Sequence, residues 1–234
     1  MKQSLTAIVP FFNEEKTLYE SVNQLALIED IEMIILVDDC SSDNSLNIAK
    51  QLEIEFKDLK IFLILKNETN SGKGSAINNA KNFISTSHVL IHDADLEYFP
   101  IDIPPMYKLS IDNPESLILG SRFIGNKTRN NLYFRTYLAN KVMSMFFSFV
   151  NFYRVTDVAT CYKLFPSSFL KEINIQEKGF SIEIELLSKF LKKNKSIKEY
   201  PISYDGRSYK DGKKIKLIDG ILYLINTIKY RFFN

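Results

Sequence analysis

Five short β-branched runs, separated by amphipathic stretches, occupy the first half of the chain and leave few folds open to it. The runs are residues 5–9, 33–37, 61–65, 89–92 and 117–119; helical patterns cover 14–27, 44–52 and 73–84. This alternation is the pattern of βαβ units and a parallel sheet. The runs are almost continuously apolar, as strands covered on both faces must be. Ser42-Asp43 offers an N-cap for the second helix, with the Asp43 carboxylate near the positive end of the helix dipole. The expected fold class is α/β: a Rossmann-like, mostly parallel sheet with helices on both faces.

After about Gly125 the alternation stops. A polar segment at 125–131 leads into a long helix at 133–149, a short strand at 162–165 and a helix at 182–191. A strand at 197–203 and a terminal amphipathic helix complete the pattern. With 234 residues and 45% apolar content, enough surface is buried for the fold to need neither disulfide nor structural metal. Cys40 and Cys161 are too few and too far apart for a disulfide scaffold or a zinc site, and are expected to be small buried fillers in a reducing, cytosolic setting.

The opening residues run straight into a strand-like segment, and no signal peptide is expected. No window reaches the roughly 18 uncharged apolar residues of a membrane span. Residues 142–153 are apolar but short, and 215–233 are interrupted by Asp219, Lys229 and Arg231. From Leu187 to Asn234 there are 12 Lys/Arg against 4 Asp/Glu, leaving 18 against 24 elsewhere. An acidic body with a basic C-terminal end suits a metal–phosphate site beside a surface that meets anions. The acidic body disfavours nucleic acid as a partner.

Ligands of such sheets bind beyond the C-terminal strand ends. Here those ends carry Asn13-Glu14-Glu15, Asp38-Asp39, Asp93-Ala94-Asp95 and Ser121-Arg122. Carboxylates converging from three strands repel one another, which stability alone does not explain. In Asp93-Ala94-Asp95 the two carboxylates point the same way and can address one hard divalent cation, with Glu97 a candidate third ligand. Asn70-Ser71-Gly72-Lys73-Gly74-Ser75 opens a helix but fails the P-loop spacing. Its N–H groups and Lys73 are still a candidate diphosphate site, set against an ordinary tight turn. Arg207 and Lys213 lie in a basic, glycine-bearing segment suited to closing over phosphates, with Arg122 as an opposite wall. His88 and His92 are expected to be structural.

Ile8-Val9-Pro10 with Asn13-Glu14, Val37-Asp38-Asp39-Cys40-Ser41-Ser42-Asp43, Gly72-Lys73-Gly74 and Asp93-Ala94-Asp95, in this order and spacing, resemble glycosyltransferase family 2. Within it the resemblance is to the dolichyl- or polyprenyl-phosphate hexose synthases, from about Leu5 to Leu224. It implies a GT-A fold, a UDP- or GDP-hexose donor, Mg²⁺ or Mn²⁺, and inversion at the sugar carbon. On this resemblance Pro10, Phe12 and Glu14 line the nucleotide pocket, and Val37 and Asp39 lie near the base and ribose. Asp93, Ala94, Asp95 and Glu97 match the metal and donor-phosphate motif, Asp93, Asp95 and Glu97 being the ligands. Arg122, Arg207 and Lys213 match phosphate-contacting positions, and Asp157 falls in the acceptor-side motif. Asp95, Arg122 and Asp157 are the expected catalytic residues.

The whole chain, 1–234, then reads as one glycosyltransferase domain. Residues to about 124 form its nucleotide-sugar half, and 125–234 an acceptor half ending in the amphipathic helix. The expected acceptor is a polyprenyl phosphate, with a cell-surface glycan hydroxyl as the alternative acceptor. A non-catalytic nucleotide-sugar-binding subunit is the alternative of another class. The expected location is the cytoplasm, with a membrane surface or membrane protein as a possible partner.

Overall fold

The computed structural model describes residues 3–131, 133–193, 195–207 and 217–233. The chain begins with β1 (Leu5–Phe11), α1 (Leu18–Ala26), β2 (Ile31–Asp38), α2 (Ser45–Phe56), β3 (Ile61–Lys66), α3 (Lys73–Ala80) and β4 (His88–Ile91). It continues through α4 (Ile103–Asp112), β5 (Leu117–Ser121), β6 (Arg129–Asn130), α5 (Phe134–Asn151), β7 (Lys163–Pro166) and α6 (Ser167–Glu172). The last elements are α7 (Ile182–Lys192), β8 (Ile197–Pro201), β9 (Tyr204–Asp205) and α8 (Leu217–Phe232).

Seven strands form one sheet in the order β3-β2-β1-β4-β7-β5-β8. The parallel pairs include Val9 opposite Leu36, Ile8 opposite Ile91 and Leu119 opposite Glu199. β7 alone runs against its neighbours, with Leu164 facing both Leu90 of β4 and Ile118 of β5. The chain winds outward from β1 through β2 to β3, then returns to lay β4 on the other side of β1. That reversal opens a crevice beyond the C-terminal ends of β1 and β4. β1, β2, β4 and β5 are almost wholly buried, as their apolar runs require. β3 is less covered than its sequence suggests, because it is an edge strand; Ile61 is 51% exposed.

Several boundaries differ from the sequence pattern for local reasons. α1 starts at Leu18 rather than Glu14, because Asn13 is left-handed (φ 52°) and the Glu14 carbonyl closes a turn onto Thr17 and Leu18. α3 ends at Ala80 and tightens into a 3₁₀ turn at Lys81–Phe83. α4 went unread because Pro104-Pro105 opens it; in the first turn a missing N–H costs nothing. The N-cap of α2 is Asn44 rather than Ser42-Asp43, and Asp43, one residue earlier, accepts the Ser45 N–H on Oδ1 at 3.0 Å. Cys161 is buried, but Cys40 is half-exposed and left-handed (φ 66°), a turn residue rather than a core filler.

Candidate functional site

Each strand end at the crevice presents a side chain fixed by a neighbouring segment. After β1, Asn13 and Ser41 lock the first two loops together: Ser41 Oγ accepts from the Asn13 N–H at 3.0 Å, and Asn13 Oδ1 from the Ser42 N–H at 2.8 Å. Glu14, 8% exposed, accepts from Thr17 Oγ1 at 2.8 Å and from Arg207 Nη1 at 3.1 Å. After β2, Asp39 organises the next loop. Its Oδ1 accepts from Asn67 Nδ2 (2.8 Å) and the Ser71 N–H (3.0 Å), its Oδ2 from the Gly72 N–H (2.6 Å).

The glycine loop does not leave its helix N-terminus open to phosphate. The Gly74 and Ser75 N–H groups both donate to the Lys178 carbonyl, at 2.6 and 3.2 Å. Gly72 is at φ +91°, and a Cβ on Gly74 would stand 1.9 Å from the Glu177 carbonyl oxygen. Gly74→Ala is therefore expected to force α3 away from residues 177–178 and to cost about 1–3 kcal/mol in a denaturant titration. Lys73 points back into the protein, pairing with Asp93 at 2.8 Å and with Glu183 of α7 at 2.7 Å. Fully buried Lys163 completes this network by also pairing with Glu183. The diphosphate reading of the glycine loop gives way to a structural clamp.

Beyond β4 the carboxylates separate by partner. Burial opposes the charge on Asp93, but Lys73 outweighs it and holds the carboxyl below the usual range. Asp95 is pushed up to about 7, first by burial and then by the charges of Asp93 and Glu97. Its Oδ2 accepts from Arg207 Nη2 at 3.0 Å. Glu97 has both oxygens engaged, by Tyr204 Oη (2.6 Å) and the Arg207 N–H (2.8 Å), and so anchors the segment after β8 across the site. Among the described residues, no three His, Cys, Asp or Glu side chains close into a ready metal cage. The donors are nevertheless all oxygens, and a desolvated Asp95 between two further carboxylates fits a hard divalent cation. Arg207 Nε is buried there without a hydrogen-bond partner.

After β5, Arg122 is 4% exposed and forks onto fully buried Asp157, Nε to Oδ2 at 2.7 Å and Nη2 to Oδ1 at 2.8 Å. The Arg122 N–H adds a third bond to Oδ2 at 3.0 Å, and the guanidinium lies 4.9 Å from the Tyr204 ring centre. Asp157 thus faces the guanidinium rather than open space. His92 is structural, between Ser21 Oγ (2.9 Å) and Tyr162 Oη (3.1 Å), and burial lowers it to about 4.

One cavity of about 1590 Å³ joins these elements. Pro10, Phe12, Glu14, Asp39, Asp93, Ala94, Asp95, Glu97, Arg122 and Arg207 all line it. Val37 does not: it is fully buried inside β2, opposite Pro10 and Leu65. Asp157 stands behind Arg122, and Lys213 lies outside the described residues. The sequence reading missed Glu183 and Tyr204, whose roles come from chain segments far from their partners. The opposite wall is lined by Phe134, Leu138 and Val142 of α5 and by Ile221 and Leu224 of α8.

Residues 6–173, covering all these strand ends through β7, match the family model for glycosyl transferase family 2. The chain belongs to glycosyltransferase family 2. A UDP-N-acetylglucosamine–dolichyl-phosphate N-acetylglucosaminyltransferase from Methanococcus voltae is 31% identical, over 95% of this chain and 94% of that one. The fold is GT-A. Glucosyl-3-phosphoglycerate synthase from Mycobacterium tuberculosis, solved with Mn²⁺, UDP and glucosyl-3-phosphoglycerate, superposes with a TM-score of 0.73 at 14% identity, covering 98% of this chain and 80% of that one. The same enzyme with Mg²⁺ and UDP gives 0.71 at 15%, covering 98% and 79%. This family 2 glycosyltransferase therefore carries its strand-end carboxylates on the fold that in those two structures holds a divalent ion and UDP.

Proposed function

We propose that this glycosyltransferase moves a sugar from a UDP-sugar to a polyprenyl phosphate, with inversion at the anomeric carbon. The observation that carries the reading is the single cavity running from the acidic strand ends to the apolar wall of α5 and α8. A hydrophilic donor suits the first part and a prenyl chain the second. The Methanococcus voltae relative, which acts on dolichyl phosphate, supports the same acceptor and puts UDP-N-acetylglucosamine first among donors to test.

Pro10, Phe12, Glu14 and Asp39 would hold the nucleoside. Asp93 and Asp95 would hold Mg²⁺ or Mn²⁺, which when bound neutralises charge developing on the departing diphosphate. Arg207, whose Nε lacks an acceptor, would donate to the diphosphate, and Arg122 would face the acceptor phosphate. The acceptor phosphate oxygen forms a bond to C1 while the C1–O bond to the donor β-phosphate breaks, its electron pair leaving with UDP. An anionic phosphate needs no general base, which agrees with an Asp157 whose two oxygens both serve Arg122. Glu97, tied to Tyr204 and Arg207, would position that arginine rather than ligate the ion.

The test is transfer from UDP-N-acetylglucosamine, UDP-glucose and GDP-mannose, with Mg²⁺, Mn²⁺ or chelator, with and without a short-chain polyprenyl phosphate. Metal-dependent glycosylation of the lipid from a UDP-sugar is expected. Metal-dependent donor binding with no lipid product would sink the lipid acceptor and turn attention to glycan hydroxyls.

A further inference from the structure

The two helices that wall the cavity are turned inside out. Of 21 large apolar side chains exposed among the described residues, 14 lie on α5, α8 or their immediate flanks. On α5, Phe134, Leu138, Val142, Met145 and Phe149 are 51–77% exposed, at the three- and four-residue spacing of one helix face. The buried side of the same helix holds Asn140, Ser144 and Asn151 around a single apolar residue, Phe147. On α8, Ile221, Ile225, Ile228 and Phe232 are 42–62% exposed, while Asn226 and Thr227 are buried. Phe147, Tyr223 and Tyr230 are buried too, yet most of the large aliphatic and phenyl groups of both helices face outward. Scattered exposed apolar residues need no cause, but two packed helices with continuous apolar exteriors do.

What covers this face follows from its charge and its continuity. The two helices carry Arg135, Lys141, Lys229 and Arg231 against a single acid, Asp219, and of these bases Lys229 is paired with Glu177 at 3.1 Å. Phe134, Leu138, Val142 and Ile221 belong both to the exposed stripes and to the cavity wall, so the apolar surface runs unbroken from outside to the site. A second copy would set two positive faces together and block the cavity mouth. An anionic bilayer meets the basic residues with opposite charge and leaves the mouth open to a chain rising from the lipid.

We propose that the α5–α8 face docks on an anionic membrane surface, its stripes at the headgroup–acyl boundary, and that the acceptor's prenyl chain enters the cavity along them. The route of the acceptor rests on the proposed function; the docking itself does not. No helix among the described residues is long and apolar enough to cross a membrane, so the contact is interfacial.

Flotation of the full chain with vesicles lacking any polyprenyl phosphate separates the two. With phosphatidylcholine containing about one third phosphatidylglycerol, the parent chain floats; in pure phosphatidylcholine or high salt it binds several-fold less. Met145→Glu with Phe149→Glu, and separately Ile228→Glu with Phe232→Glu, each lower binding at least about tenfold. All four positions lie outside the cavity wall, so donor affinity by calorimetry stays unchanged, which also reports folding. Failure of the parent to float, or equal flotation of the glutamate variants, overturns the proposal. So does concentration-dependent self-association abolished by the same substitutions, which would make the occupant a second copy. Vesicle binding without lipid glycosylation would retain the docking face and reject the acceptor.

Discussion

Asp95→Asn is expected to lower sugar transfer by about 10²–10³-fold or more, with a melting temperature no lower than the parent's. The two halves of this result have one cause. Asp95 is buried between Asp93 and Glu97 and its carboxyl is pushed up from 3.8 to about 7. A carboxyl raised on folding binds more protons folded than unfolded between those values. Its contribution to stability is therefore complete below about pH 4 and lost as pH rises through 7. At neutral pH the ionised group strains the fold, and asparagine relieves that strain while keeping the shape. Arg207 loses one partner but keeps Glu14 at 3.1 Å. The same negative charge is what the proposed divalent ion requires, so its removal disables the site. Activity with the donor panel and a thermal melt at neutral pH read both effects. A variant that transfers sugar as well as the parent would remove Asp95 from the metal site.

The second large effect is on the fold. Asp157→Ala leaves the Arg122 guanidinium, 4% exposed, without a counter-charge. Breaking a buried pair from one side costs about 3–5 kcal/mol, roughly a 10 °C fall in melting temperature for a chain of this size. Arg122→Met combined with Asp157→Leu should recover much of that stability, because an apolar pair replaces an ionic one. Asp157→Asn distinguishes a positioning role from a base. It is expected to lower stability and activity together, since one oxygen acceptor becomes a donor facing a guanidinium. Full stability with loss of kcat alone would instead assign Asp157 general-base duty.

Much of the strand-end crevice was legible because its information is local. Asp93-Ala94-Asp95 follows an apolar run and must emerge at its end; Asn13 and Glu14 do the same after β1. The run at 117–119 reaches Arg122 for the same reason. What stayed hidden depends on segments that meet only in three dimensions. The glycine loop looks open to an anion until Lys178, about a hundred residues later, places its carbonyl on the helix N-terminus. Asp157 looks like a free carboxylate until the antiparallel insertion of β7 brings its loop beneath Arg122. Val37 shares a motif with Asp39, but Val37 is still inside β2, covered on both sides, while Asp39 lies just past the strand's end and lines the crevice. On α5 the run at 142–153 reads as core by hydropathy alone. Of its apolar residues Phe147 is fully buried, while Met145 and Phe149 stay outside and polar Ser144 and Asn151 go in.

The position of β7 also governs how the molecule comes into being. Its four residues fill the gap between β4 and β5. A nascent chain that has delivered every donor-side strand still presents two unpaired edges at the centre of its sheet. Until residues 163–166 leave the ribosome, β4 has no neighbour on that side and β5 has no attachment to the growing sheet. Arg122 and its strand therefore join the crevice only in that step, Arg207 and the wall of α8 later still, and a ribosome stalled before it carries sticky edges rather than a half-built enzyme.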